Sequence, residues 1–221
     1  MKRNCGIETG KAPVKWRRAR LVACCLATLA LPACLDSQKS EMEMYLEADG
    51  ALFERSRAEG IYSGEKSDAK VQSDFEELIK KYETPLSPGA PDPDNSERIV
   101  LHRALSTQND QLCTLEEARY PLGFGSKCFR ELITNGMFCM PFATNWVVQS
   151  NGKAMPEFDT NDMFVIAWPT NQSYLWWKIV KPDGGTNLVS RYQQYIAAGR
   201  TMAWTNANAT ADWGGARRTT P

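Results

Sequence analysis

Met163-Phe-Val-Ile-Ala-Trp168, then Pro169-Thr-Asn-Gln172, then Tyr174-Leu-Trp-Trp-Lys-Ile-Val180 read as strand, turn and strand. Both apolar runs are rich in aromatic and β-branched residues and too short for helices of ordinary length. Each is apolar on both faces, so each is expected either at the centre of a sheet covered on both sides or with one face on a ligand. In a strand the adjacent Trp176 and Trp177 must point to opposite faces. Just upstream, Trp146-Val-Val-Gln-Ser-Asn-Gly-Lys-Ala-Met155 reads as a hairpin turning on Asn151-Gly152. Downstream, Pro182-Asp-Gly-Gly185 is a turn, and Asn187 caps a helix over 188–198 that Gly199 ends.

Working back from that sheet, the spacing predicts helices. Ser126 and Gly136 bracket a short one with Phe129, Leu132 and Ile133 on one face, and Thr114-Leu-Glu-Glu117 is a capping-box pattern. Ser96 caps another over 97–105, with His102 inside it. Val71, Phe75, Leu78, Ile79 and Tyr82 form one stripe of an amphipathic helix beginning at Asp68. Residues 41–59 also read as helical, interrupted at Asp49-Gly50. The expected fold is therefore α+β: N-terminal helices, then a Trp-rich, mainly antiparallel sheet with one or two packed helices. The expected organisation is a signal peptide over 1–33, a tether over 34–40, an acidic helical region over 41–83, a Pro-rich linker or loop over 84–95, an α+β domain over 96–206 and a frayed tail over 207–221.

The chain of 221 residues holds 26 basic and 26 acidic side chains and one His. The zero net charge conceals a split: residues 1–33 carry seven bases and one acid, leaving 19 bases and 25 acids for the rest. An acidic body argues against nucleic acid as a partner, because phosphate affinity is built from Lys and Arg.

Lys15-Trp-Arg-Arg-Ala-Arg20 precedes an uncharged run of eleven residues, Leu21 to Leu31, and Pro32, Ala33 and Cys34 follow. A basic flank, a short apolar segment and a small residue before a cut form the layout of a secretory signal. Eleven helical residues span about 16 Å, half a hydrocarbon core, so the segment targets but does not anchor. Leu31-Pro32-Ala33-Cys34 resembles the lipobox of bacterial lipoprotein precursors. The resemblance implies loss of residues 1–33, a diacylglyceryl thioether on Cys34 and acylation of its new amino group, palmitate included. Burial contributes about 0.8 kcal/mol per CH₂, so two or three chains would hold the protein on the bilayer essentially permanently. Leu35 after the acylated residue favours the outer over the inner membrane, with the body facing the periplasm.

After processing, Cys113, Cys128 and Cys139 remain in a compartment that oxidises thiols. Three is odd, so one disulfide and one buried thiol are expected, with Cys128–Cys139 ahead of Cys113–Cys128 and then Cys113–Cys139. No Cys-x-x-Cys pair exists and the sole His is distant from every Cys, so neither a metal site nor a cofactor is expected.

Catalytic signatures are sparse. His102 lacks a nucleophile elbow to serve, and no P-loop or dinucleotide fingerprint occurs. Glu157, Asp159 and Asp162 offer a carboxylate pair of glycosidase type, as any acidic loop does. The reading leans away from an enzyme. The sharper signal is aromatic: Trp146, Trp168, Trp176 and Trp177 are candidate binding residues, since such rings stack on sugars and dominate protein interfaces. The expected role is a non-catalytic binding or accessory lipoprotein of secretion, conjugation, immunity or inhibitor type, held in the bilayer through Cys34 with an envelope protein as partner. The alternatives are a peptidoglycan-binding or glycan-hydrolysing lipoprotein and a structural envelope spacer.

Overall fold

The computed structural model describes residues 35–200 apart from Pro88 and Asp183. The signal peptide, Cys34 and the 207–221 tail lie outside the described residues. The fold departs from the expected α+β class: it is mostly antiparallel sheet, and strands replace the helices expected over 41–59, over 97–105 and from Thr114.

The chain opens with a hairpin, β1 (Leu35–Leu46) and β2 (Leu52–Ser63), where a helix was expected over 41–59. Asp49-Gly50 is its turn and not an interruption: Gly50 takes φ +84 and Glu47 accepts its N–H at 3.0 Å. The tether expected over 34–40 is equally absent from 35 onward, because Leu35 already pairs with Ser63. Helix α1 (Asp68–Glu83) forms as its stripe predicts, with Ser67 as N-cap and the five stripe residues buried.

A short β3 (Pro91–Asp92) leads into β4 (Asn95–Gln108) and β5 (Gln111–Tyr120). These are strands where the capping signals predicted helices over 97–105 and from Thr114. Asn109 and Asp110, at φ 49 and 56, make the tight turn between them. Helix α2 is only Lys127–Arg130, and the chain reverses through β6 (Ile133–Thr134) into β7 (Met137–Ala143). After β8 (Val147–Ser150) and β9 (Lys153–Ala154) come β10 (Met163–Pro169), β11 (Tyr174–Val180), β12 (Thr186–Asn187) and α3 (Val189–Ala197).

The large sheet runs β3-β4-β5-β2-β1-β11-β8, with β12 pairing β2; the small one runs β6-β7-β10-β9. Asn151-Gly152 is therefore not a hairpin turn. It is the point where the chain crosses between sheets, since β8 pairs β11 while β9 pairs β10. A Cβ at Gly152 would come within 2.5 Å of both Ile166 and Trp168, so only glycine lets the crossing chain lie against the core. Asn151 ties the layers together: its Oδ1 accepts from Trp168 Nε1 and from Trp176 N, each at 2.8 Å.

One face of the large sheet is covered twice. At one end the small sheet packs on it, enclosing Met44, Leu52, Tyr120 and Trp177 against Phe138, Phe142 and Trp168. At the other end α1 and α3 cover Ala58, Ile61 and Leu112. A third, smaller cluster of Cys139, Val165 and Ala167 lies on the far side of the small sheet.

Candidate functional site

Two regions carry chemistry: a buried polar belt on the inner face of the large sheet and rows of charged and aromatic residues on its outer face. The belt arises from period-2 alternation. Along β2, Leu52, Glu54, Ser56 and Ala58 point inward, and across from them on β5 lie Tyr120, Ala118, Glu116 and Thr114. Apolar residues thus sit at each end of the face and polar ones between, separating the two main clusters.

At the centre of the belt is Arg98, 1% exposed. Its Nη2 donates to Glu54 Oε1 at 2.7 Å and to Glu116 Oε1 at 2.5 Å, while Nη1 donates to Asp92 Oδ2 at 2.7 Å. Tyr120 OH donates to the other oxygen of Glu54 at 3.0 Å. Arg103 lies 3.8 Å from Glu116 Oε2 and donates to the Lys81 carbonyl, joining belt to helix. Burial works against charge on Arg98, and Glu54 and Glu116 outweigh it, holding the guanidinium firmly protonated. Burial raises the Asp92 carboxyl, but the Asp94 N–H and Arg98 more than offset this, leaving it below the usual carboxylate range. Tyr82 and Tyr120 are driven up chiefly by burial, so both stay neutral phenols.

The belt is sealed. The nearby cavity, lined by Met42, Met44, Glu54, Phe129, Phe138, Met140 and Trp177, holds about 10 Å³, room for roughly a single water. The charges are therefore internal structure. Among the described residues no group of three His, Cys, Asp or Glu side chains is placed to hold a metal.

The outer face presents four cross-strand rows. Arg119, Phe53, Tyr45 and Tyr174 form the first; Glu117, Arg55, Glu43 and Trp176 the second. Leu115, Arg57, Glu41, Lys178 and Gln149 form the third, and Cys113, Glu59, Lys39, Val180 and Val147 the fourth. Tyr45 lies between Phe53 and Tyr174, with ring centroids 6.0 and 4.9 Å away. Both tyrosine hydroxyls donate to Glu43 Oε1, at 3.2 and 3.0 Å. Arg55 bridges Glu43 and Glu117, and Trp176 Nε1 donates to Glu41 at 2.8 Å. None of the apolar clusters includes residues of these rows. The side chains are thus pre-ordered by one another; Tyr45, Phe53, Tyr174 and Trp176 remain half-exposed on this face, while Cys113 is buried among its neighbours.

The four predicted tryptophans separate accordingly. Trp176 stands on the outer face. Trp177 and Trp168 are buried in the core with centroids 5.2 Å apart, and Trp146 lies half-buried beneath the Lys181 ammonium, 4.7 Å from its ring centroid. The Tyr45–Phe53–Tyr174 row escaped sequence reasoning, because a helix was expected at 41–59 and no row exists until β1 pairs on both sides. Asp159, one of the candidate acids, accepts the Val165 N–H at 3.0 Å and so closes a turn. His102 is exposed on β4, opposite Glu117.

The expected disulfide is not formed: Cys113, Cys128 and Cys139 are free thiols. Cys113 stands on the outer face of the large sheet, Cys128 packs on the main core, and Cys139 lies across the small sheet from it. Period-2 alternation in β7 sends Phe138 toward Cys128 and Cys139 away, which no hydropathy pattern reveals. Burial raises all three thiols, Cys128 to about 11. Alkylation of the native protein at neutral pH is expected to be slow at all three and to become fast on unfolding in urea, read by mass spectrometry. Rapid native labelling of Cys128 would contradict the burial described.

No family model matches the chain, and no curated protein matches it. Among solved structures, the Mimivirus capping-enzyme triphosphatase aligns over 83% of each chain at 13% identity, with a TM-score of 0.15, a likeness too slight to bear on fold or activity.

Proposed function

We propose that the chain is a non-catalytic envelope lipoprotein, anchored through acylated Cys34, whose outer sheet face binds another envelope protein, with the outer membrane as its favoured location. The observation that carries the binding role is the contrast between the two faces. The inner face is closed, with its charges internally paired around Arg98 and a cavity of only about 10 Å³ beside them. The outer face offers Phe53, Tyr45, Tyr174 and Trp176 alongside ordered carboxylates and guanidinium groups. Aromatic side chains ordered by their neighbours lose little freedom on association, which is how interface anchors behave. The anchor rests on the lipobox residues Leu31-Pro32-Ala33-Cys34. No helix among the described residues is long and apolar enough to cross a membrane.

The test places a photo-crosslinking amino acid at Phe53 or Tyr174 and, as a control, at Glu77 on the exposed side of α1. A single discrete protein adduct from the sheet positions, lost when Arg55→Glu is added and missing from position 77, is the expected result. Equal adducts from both faces would overturn the reading, and adducts to glycan strands would replace it with the peptidoglycan-binding one. Cys34→Ser should abolish incorporation of labelled fatty acid; undiminished labelling would remove the anchor.

A further inference from the structure

We propose that the end of the large sheet where β1 begins rests directly on the phospholipid headgroup layer, so that the strands stand upright on the membrane. This inference rests on acylation of Cys34, and adds to it which surface meets the bilayer.

The argument is one of chain length. Leu35 directly follows Cys34, and Leu35 is already folded: it is 3% exposed, pairs with Ser63 and packs against Ile61, Leu112 and Leu188. The next residues are held as firmly. Asp36 pairs with Lys181 Nζ at 2.5 Å, Ser37 is buried, and the Gln38 carbonyl accepts the Lys181 N–H at 2.8 Å. A residue spans at most about 3.6 Å of extended chain, so no slack separates an acylated Cys34 from the rigid body. A flexible tether of about ten residues would instead give a root-mean-square reach of roughly 17 Å and leave the body free to tumble.

The register shows which segments share that end. Ser63 opposes Leu35, so residues 64–67 leave the sheet there. Gln111 Nε2 donates to Gln38 Oε1, placing the Asn109-Asp110 turn at the same level. β12 pairs Tyr62 and Ser63, which brings the chain preceding it alongside. The exposed surface offered includes Gly64, Lys66, Gln108, Asn109, Pro182 and Gly184, small or polar side chains compatible with a headgroup layer and with no apolar wedge to bury deeper. At the far end lie the turn around Asp49-Gly50 and Ser173, whose carbonyl accepts the Leu46 N–H. At about 3.3 Å per residue, the length of β1 puts them about 36 Å further from the anchor. The outer face would then stand perpendicular to the membrane and remain accessible along its whole height.

The test uses the full, acylated protein reconstituted into vesicles of phosphatidylethanolamine and phosphatidylglycerol carrying a diazirine on the headgroup. After irradiation, adducts are mapped by mass spectrometry and the Cys34 peptide is weighed in the same digest. The expected result is an acylated Cys34 peptide, with adducts concentrated in 64–67, 107–111 and 184–187 and missing from 47–51 and 170–173. Inserting about ten Gly and Ser residues between Cys34 and Leu35, a span that restores tumbling, should abolish that end preference without touching the fold. An acylated peptide with adducts spread evenly over both ends, or an end preference that survives the insertion, overturns the proposal while leaving the anchor intact. An unacylated Cys34 overturns the anchor, and this seating with it.

Discussion

Arg98→Met is expected to cost about 3–5 kcal/mol, a large part of the stability of a domain this size, because it removes the guanidinium that contacts all three buried carboxylates of the belt, leaving only Arg103 beside Glu116. Glu54, Glu116 and Asp92 are 2, 0 and 6% exposed, so water cannot take over from the guanidinium. The cost should depend on pH in a definite sense. In the unaltered protein Asp92 sits below the usual carboxylate range, so its contribution is present above an unfolded value of about 4 and is lost as pH falls through its lower folded value. In Arg98→Met the relation reverses: a buried carboxylate without its counter-ion favours the protonated form, so acidification relieves the variant while it weakens the parent. Urea unfolding at neutral and mildly acidic pH measures both. A penalty that stays constant, or grows, as pH falls would refute the account of the belt.

Trp168→Ala should cost a similar amount, about 3–5 kcal/mol, through the cavity it leaves between the sheets. The side chain is fully buried, with its ring centroid 5.2 Å from Trp177 on the large sheet and 6.1 Å from Phe138 on the small one. Its Nε1 also holds Asn151 Oδ1, the atom that receives Trp176 N from the opposite layer. Trp168→Phe retains most of the ring and loses the hydrogen bond, so a smaller loss of about 1 kcal/mol is expected. Hydrogen exchange should show β7 and β10 loosening before β1 and β2, since β7 and β10 have only the two-residue β6 and β9 as outer neighbours while β1 and β2 are flanked by long strands on both sides. A loss below about 1 kcal/mol for the alanine variant would mean that the sheets are not joined through this ring.

These two residues show where the sequence could be read and where it could not. Helix α1 was legible because its apolar residues recur at helical spacing and its outward face is charged. β10 and β11 were legible as β-branched and aromatic runs. β1, β2, β4 and β5 were not, although burial alternates along residues 52–58 of β2 and 114–120 of β5. Their inward positions include Glu54, Ser56, Arg98 and Glu116, so alternation of burial is not alternation of hydropathy. A hydropathy pattern reports which residues avoid water, and these polar residues are buried because they meet one another across strands. With the period hidden, the capping signals at Ser96 and at Thr114 had no competitor, and Asp49-Gly50 passed for a break in a helix.

The candidate surfaces divide in the same way. The opposed directions of Trp176 and Trp177 follow from strand geometry alone. The Leu31-Pro32-Ala33-Cys34 motif and the apolar stripe of α1 are likewise local, carried by neighbours along the chain. Which tryptophan faces outward, which cysteines can meet, and how Leu35 is held depend on partners far apart in sequence: Trp176 on Glu43, Cys139 on the far side of the small sheet, Leu35 on Ser63. Contacts of that kind are chosen by the simultaneous pairing of strands around a shared core, and only the folded chain brings those partners together.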